Sequence, residues 1–179
     1  MVYVFLADGF ETVEALAAVD CLRRANIETV TVGVTGKTVV SSHKIPVVAD
    51  TTEFAFSDDL EMIVLPGGGR GYDHLRESAE VGEIIDRCVS AGVPVAAICA
   101  APAILGERGL LDGLHATCFP DMQEQLTGAI YEHRAVCVDG QFITGHSAGH
   151  SFAFGIKLVE KLRGSEAAKK LKQSLYQDV

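Results

Sequence analysis

The sequence predicts an α/β fold: an open, mostly parallel sheet with helices on both faces. Three observations predict it. Short, nearly continuous apolar runs at Val2–Ala7, Met62–Leu65 and Val93–Ile98 read as strands buried on both sides. They alternate with segments whose apolar residues recur at helical spacing, the order expected of a parallel sheet. Hydrophobic residues make up 48% of the 179-residue chain and charged residues 22%, enough to bury a sizeable core. No internal repeat, low-complexity tract or linker interrupts residues 1–179, so one domain is expected.

The elements follow in order. Val2–Ala7 is a strand that stops at the turn pair Asp8-Gly9. From Glu11 to about Ala25, Val13, Leu16, Ala17 and Leu22 mark a helix. Glu28–Val34 alternates and is rich in Val and Thr, a second strand. Lys37–Val48 reads as one or two short strands around the turn at "SSHK". Met62–Leu65 is a buried strand that ends in Pro66 and a glycine run, Gly67–Gly71, read as a turn. Val81–Ala91 is helical and Gly92 stops it. Val93–Ile98 is the next strand and Ala100–Arg108 the next helix. Ala116–Phe119, Ala135–Val138 and Phe142–Thr144 are further strands. Ser151–Leu162 is an apolar helix and Glu166–Leu175 a polar-faced one.

Charge and composition exclude several classes. The net charge is −9 and no Lys/Arg-rich block exists, which disfavours nucleic acid and anionic membranes as partners. No run of apolar residues is long enough to span a bilayer. The N-terminus lacks the basic leader and cleavage site of a signal peptide. Five scattered cysteines without a C-x-x-C pair argue against a disulfide framework or a zinc site, and a cytoplasmic protein is expected.

Ligands of open α/β sheets bind beyond the carboxyl ends of the strands. Cys99 falls at such an end, on a strand–Cys–small–small–Pro–helix layout that matches a nucleophile elbow. A helix starting near Ala100 would favour its thiolate. The alternative is a buried, inert core thiol; Cys21, Cys88, Cys118 and Cys137 lack this context and read as core or surface fillers. The glycine run is neither a P-loop nor a dinucleotide fingerprint. It is either a tight turn or a set of N–H groups able to hold an oxyanion. Glu11 and Glu14 share one face of the first helix. A carboxyl on that apolar face would stay protonated and could donate to a thiolate, whereas a solvated helix start would leave it ionised. His146 and His150 bracket a turn after a strand. Four-residue spacing suits a metal pair, but no third ligand is evident, so no metal is expected.

The segments "LADGFETVEALAAVDCLRRA", "VLPGGG", "AAICAAPAIL" and "ITGHSAGHSF", in this order and spacing, resemble the ThiJ/PfpI superfamily, most closely its DJ-one branch. The resemblance implies a flavodoxin-like sandwich and a homodimer. It places the reactive cysteine at Cys99 and its proton-holding partner at Glu14. Backbone donors fall on Gly67, Gly68 and Ala100, and an arginine near site and interface on Arg24. It implies cofactor-independent chemistry on a small reactive aldehyde or glycated substrate (glyoxalase or deglycase activity), with redox sensing as the alternative and small ester or amide hydrolysis as a further one. Ala100 stands where the peptidase branch has histidine. Phe119 stands where the DJ-one branch usually has histidine, and His43 where it often has arginine. His146 is the substitute base implied by the related amidotransferase fold.

Overall fold

The structure, a computed structural model, describes residues 1–176. Six strands form the main sheet: β1 (Val2–Leu6), β2 (Thr29–Gly33), β5 (Met62–Leu65), β6 (Val95–Ile98), β9 (Val136–Asp139) and β10 (Phe142–Gly145), in the order β2-β1-β5-β6-β10-β9. All neighbours run parallel except β9, which pairs antiparallel with β10 at the edge. This is the expected α/β class.

Pleating explains why the strand runs are apolar throughout. Successive residues point to opposite faces. In β1, Tyr3 and Phe5 enter the core beneath α3 (Ala79–Ala91) and α4 (Pro102–Glu107). Val2, Val4 and Leu6 enter the second core, beneath α1 (Thr12–Arg24) and α5 (Ser151–Ser174). The same split puts Ile63, Leu65, Val95 and Ala97 on one side and Met62, Val64, Ala96 and Ile98 on the other. Each fully buried large side chain contributes about 1.5–3 kcal/mol relative to exposure, so neither face can be left bare.

Helix ends follow local chemistry. The Ser78 hydroxyl accepts the Val81 N–H (3.3 Å) to start α3, and Gly92, at φ 71°, ends it. α5 breaks at Gly164 (φ 82°), which divides it close to where the sequence places two helices. The hairpin β3 (Thr38–Val40) and β4 (Pro46–Val48) forms across the "SSHK" turn as expected.

Several elements depart from the sequence reading or refine it. α2 (Gly69–Glu77) is a helix where the sequence reads as a glycine turn; burial of Tyr72 and Leu75 outweighs the poor helix propensity of Gly69 and Gly71. The expected strand Ala116–Phe119 shrinks to β7 (His115–Ala116), paired with the unforeseen β8 (Ile130–Tyr131). The helix expected from Ala100 starts at Pro102, since proline's fixed φ and missing N–H suit a first turn. The edge strand β9 is antiparallel because only a tight turn, Asp139 to Phe142, joins it to β10.

Candidate active site

Four chain segments meet beyond the carboxyl ends of the central strands. β1 leads into α1 and Glu14; β5 leads into Gly67 and Gly68; β6 leads into Cys99; β10 ends at Gly145. β1 lies between β2 and β5, so successive connections leave it in opposite directions and open a crevice there.

Cys99 sits on the bend with φ 65°, a left-handed conformation that costs a residue with a Cβ roughly 1–2 kcal/mol. Two backbone hydrogen bonds hold it there. The Cys99 N–H donates to the Gly145 carbonyl (2.9 Å), and the Phe119 N–H donates to the Cys99 carbonyl (2.8 Å). Strain retained at a reactive residue is the signature of the nucleophile elbow. Cys99 alone among the five cysteines is partly accessible; the other four are free and buried, as core thiols.

Glu14 is fully buried in the first turn of α1. Its Oε2 accepts the Gly67 N–H at 2.9 Å, and its Oε1 is buried with no partner. Gly67 is the spacer between the two groups. A Cβ built on it would lie 2.7 Å from both the Cys99 Cβ and the Glu14 Oε2, so only glycine lets sulfur and carboxyl approach. Gly68, at φ 94°, turns its backbone against the Gly9 carbonyl and the Glu11 N–H.

The electrostatics couple the pair. Burial raises Glu14 to about 7; contacts from the Cys99 thiol and the Gly67 N–H pull it down, and the Glu11 charge pushes it up. Burial likewise pushes the Cys99 thiol up to about 12. The Glu14 charge adds to that push, while the Ala100 and Gly68 N–H groups oppose it. The low thiol ionisation expected from a helix start is therefore not what this geometry favours. The helix is short, begins two residues late, and is outweighed by desolvation and by Glu14. Between about 7 and about 12 the pair instead holds one proton, shared by sulfur and carboxyl. Moving that proton to Glu14 produces the thiolate.

The other expected residues sort clearly. The Gly68 and Ala100 N–H groups bear on the sulfur, whereas the Gly67 N–H is occupied by Glu14. Arg24 lies in the last turn of α1, ten residues beyond Glu14 and so about 15 Å along the axis, paired with Asp20 at 2.6 Å. It does not reach the site of its own chain. His146 follows Gly145, whose carbonyl accepts the Cys99 N–H, but its side chain is not bonded to the sulfur. Its Nδ1 bonds the Ser147 Oγ (3.1 Å), its ring packs on His133 and His150, and its buried Nε2 has no partner. Burial and the two neighbouring imidazoles lower its pKa, so it is neutral near pH 7. Among the described residues Cys99 has no histidine hydrogen-bond partner, and no group of three or more potential ligands is arranged to hold a metal. His43 bonds the Ser42 hydroxyl and approaches Glu11 at 3.4 Å. Nothing in the residue pattern foretells that Ser41 and Ser42 close over the start of α1, through Thr12–Ser41 (2.8 Å) and Ser42–Glu11 (3.0 Å) hydrogen bonds.

The sequence and fold are similar to those of known proteins. Residues 1–161 match the DJ-1/PfpI family. The chain belongs to that family. It is 35% identical to Protein dj-1beta of Drosophila melanogaster over 176 residues, covering 96% of this chain and 94% of that one. It is 33% identical to the Parkinson disease protein 7 homolog of Danio rerio over 178 residues, with 96% and 94% coverage. The crystal structure of Drosophila melanogaster DJ-1beta superposes with a TM-score of 0.91 at 33% identity, covering 98% of this chain and 96% of that one. The structure of oxidized Toxoplasma gondii DJ-1 gives 0.90 at 32% identity, with 98% and 97% coverage. The chain is thus a DJ-1-type protein with the flavodoxin-like α/β fold. No helix among the described residues is long and apolar enough to cross a membrane.

Proposed function

We propose that the protein is a cofactor-independent cysteine enzyme that converts methylglyoxal, glyoxal or their adducts to hydroxy acids. The observation that carries this reading is the strained Cys99 held against the buried, proton-holding Glu14. The Cys99 thiolate attacks the aldehyde carbon, and Glu14 gives its proton to the resulting alkoxide, forming a neutral hemithioacetal. The Glu14 carboxylate then removes the C–H proton of that carbon. In the enediolate so formed the hydroxyl proton passes to the neighbouring oxygen, and Glu14 returns the C–H proton to the neighbouring carbon, which leaves the thioester of the hydroxy acid. Water cleaves the thioester, releasing the hydroxy acid and the thiol. The Gly68 and Ala100 N–H groups, which bear on the sulfur, hold the oxyanion in this scheme during attack and hydrolysis. Carbinolamine adducts enter the same sequence once the amine leaves and the aldehyde re-forms.

The test is lactate formation from methylglyoxal. Wild-type protein should produce it, and Cys99→Ser should lose all activity; native-rate turnover by Cys99→Ser refutes the scheme.

A second reading is redox sensing through oxidation of Cys99. It is favoured by the exposed Phe119, 40% accessible, at the position where a general base is usual, and by the lack of a histidine on the sulfur. Intact mass after mild peroxide separates the two. A gain of two oxygens at Cys99 without lactate formation supports the sensor, and turnover without ready oxidation supports the enzyme. A homodimer is part of the same proposal, tested by sedimentation.

A further inference from the structure

A cavity of about 330 Å³ beside the site is lined by Asp8, Gly9, Val40, Ser41, Ser42 and Arg70. It adjoins the reactive pair through the backbone. The Gly68 N–H bears on the Cys99 sulfur, Gly68 packs on the Gly9 carbonyl, and Gly9 packs on the Arg70 Cβ. Two opposite charges share this cavity without meeting. Arg70 is exposed and forms no ion pair with another described residue. Asp8 is anchored through Oδ1, which accepts the Val40 N–H at 2.8 Å, so one carboxylate oxygen remains. Ser41 is buried; its Oγ accepts the Thr12 hydroxyl and the Ile45 N–H, which leaves its own proton free to donate. The Ser42 hydroxyl bonds Glu11 and His43.

We propose that this cavity binds the zwitterionic head of an α-amino acid, its carboxylate on Arg70 and its ammonium on Asp8. A simple anion would gain Arg70 but meet Asp8, in a chain of net charge −9; a simple cation would gain Asp8 but meet Arg70. An ammonium and a carboxylate on one carbon answer both, and the carboxylate–guanidinium pair is the strongest hydrogen-bonding match available. The inference rests on the proposed aldehyde chemistry for its use. It makes the preferred substrate a free amino acid carrying a 2-oxoaldehyde adduct on its side chain, its head held at the rim while the adduct lies toward Cys99.

Backbone amide NMR of the intact chain tests this with unreactive probes. L-Arginine should shift the Gly9, Ser42 and Arg70 resonances. Agmatine, which lacks the carboxylate, and Nα-acetyl-L-arginine amide, which lacks both head charges, should not. Arg70→Met and Asp8→Asn should each weaken L-arginine binding about tenfold, the loss expected for one charged hydrogen bond, while both keep the parent's melting temperature and methylglyoxal turnover. The asparagine retains an oxygen for the Val40 N–H, so a folding defect is not built into that variant. Equal shifts from agmatine or the blocked amide, no shift from L-arginine, or undiminished binding by Arg70→Met overturns the proposal. The probes need no turnover. L-Arginine binding without lactate formation leaves the subsite standing and removes the enzyme reading, and lactate formation without L-arginine binding does the reverse.

Discussion

Replacing Glu14 by glutamine should make the protein's stability less dependent on pH. In the fold the carboxyl ionises at about 7 rather than 4.5, because burial disfavours its charge. A raised carboxyl pKa means that the folded state holds the proton more tightly than the unfolded chain. The associated stability is complete below pH 4.5 and is lost as pH rises through about 7. That interval corresponds to about 3 kcal/mol at 1.36 kcal/mol per pH unit. Glutamine keeps an oxygen for the Gly67 N–H but cannot ionise, so it escapes this loss. Its amide N–H₂ on the Oε1 side lacks an acceptor, at a constant cost of about 1–3 kcal/mol. The constant term cancels when the wild-type-minus-variant difference is compared at two pH values. Urea unfolding at pH 4.5 and pH 8 should show that difference moving by about 3 kcal/mol in the variant's favour. A difference that stays level across this range would falsify the claim that Glu14 titrates near neutrality rather than at its free value.

Three further outcomes follow from the geometry. Cys99→Gly should be more stable than Cys99→Ala by about 1 kcal/mol in urea unfolding, since glycine accepts φ 65° without strain; equal stabilities would remove the strained elbow. Gly67→Ala should destabilise by about 1–3 kcal/mol and abolish lactate formation, because its Cβ would intrude 2.7 Å from both reactive side chains; native turnover would contradict that packing. Glu61, held down to about 2 by hydrogen bonds from Arg163 and the N-terminal ammonium, contributes stability above its unfolded pKa that is lost as pH falls. The pair is more than a third exposed, so Arg163→Ala should cost no more than about 1 kcal/mol at pH 7 by thermal melting, and less in high salt.

Much of this architecture was legible in the residues. Strands β1, β5 and β6 announced themselves because both faces are buried, which forces an apolar residue at nearly every position. Val13 and Ala15 flank Glu14 and hint at an apolar face, yet a solvated helix start fits the same residues, and Val13 is in fact exposed. Cys99 stood out through the small residues and proline that follow it. What the sequence concealed were effects of distance. Helix α2 depends on Tyr72 and Leu75 finding a core that local propensity does not reveal. The Gly67 N–H looked available for an oxyanion until Glu14, 53 positions earlier, was seen to occupy it. The ionisation of Cys99 depends on how deeply the bend sinks and on what charge faces it, and neither is encoded in spacing. His146 looked like a base through its place after a strand, yet its polar contact is with Ser147.

The central claim is that Cys99 and Glu14 hold a single proton between them at neutral pH. The most direct measurement is the rate of Cys99 alkylation by iodoacetamide, followed by site-resolved mass from pH 5 to 10, in the wild type and in Glu14→Gln. The shared proton predicts a wild-type rate that rises with a midpoint at about 7 and a limb that vanishes in the variant. One midpoint near that of a free thiol, about 8.5, in both proteins would contradict it.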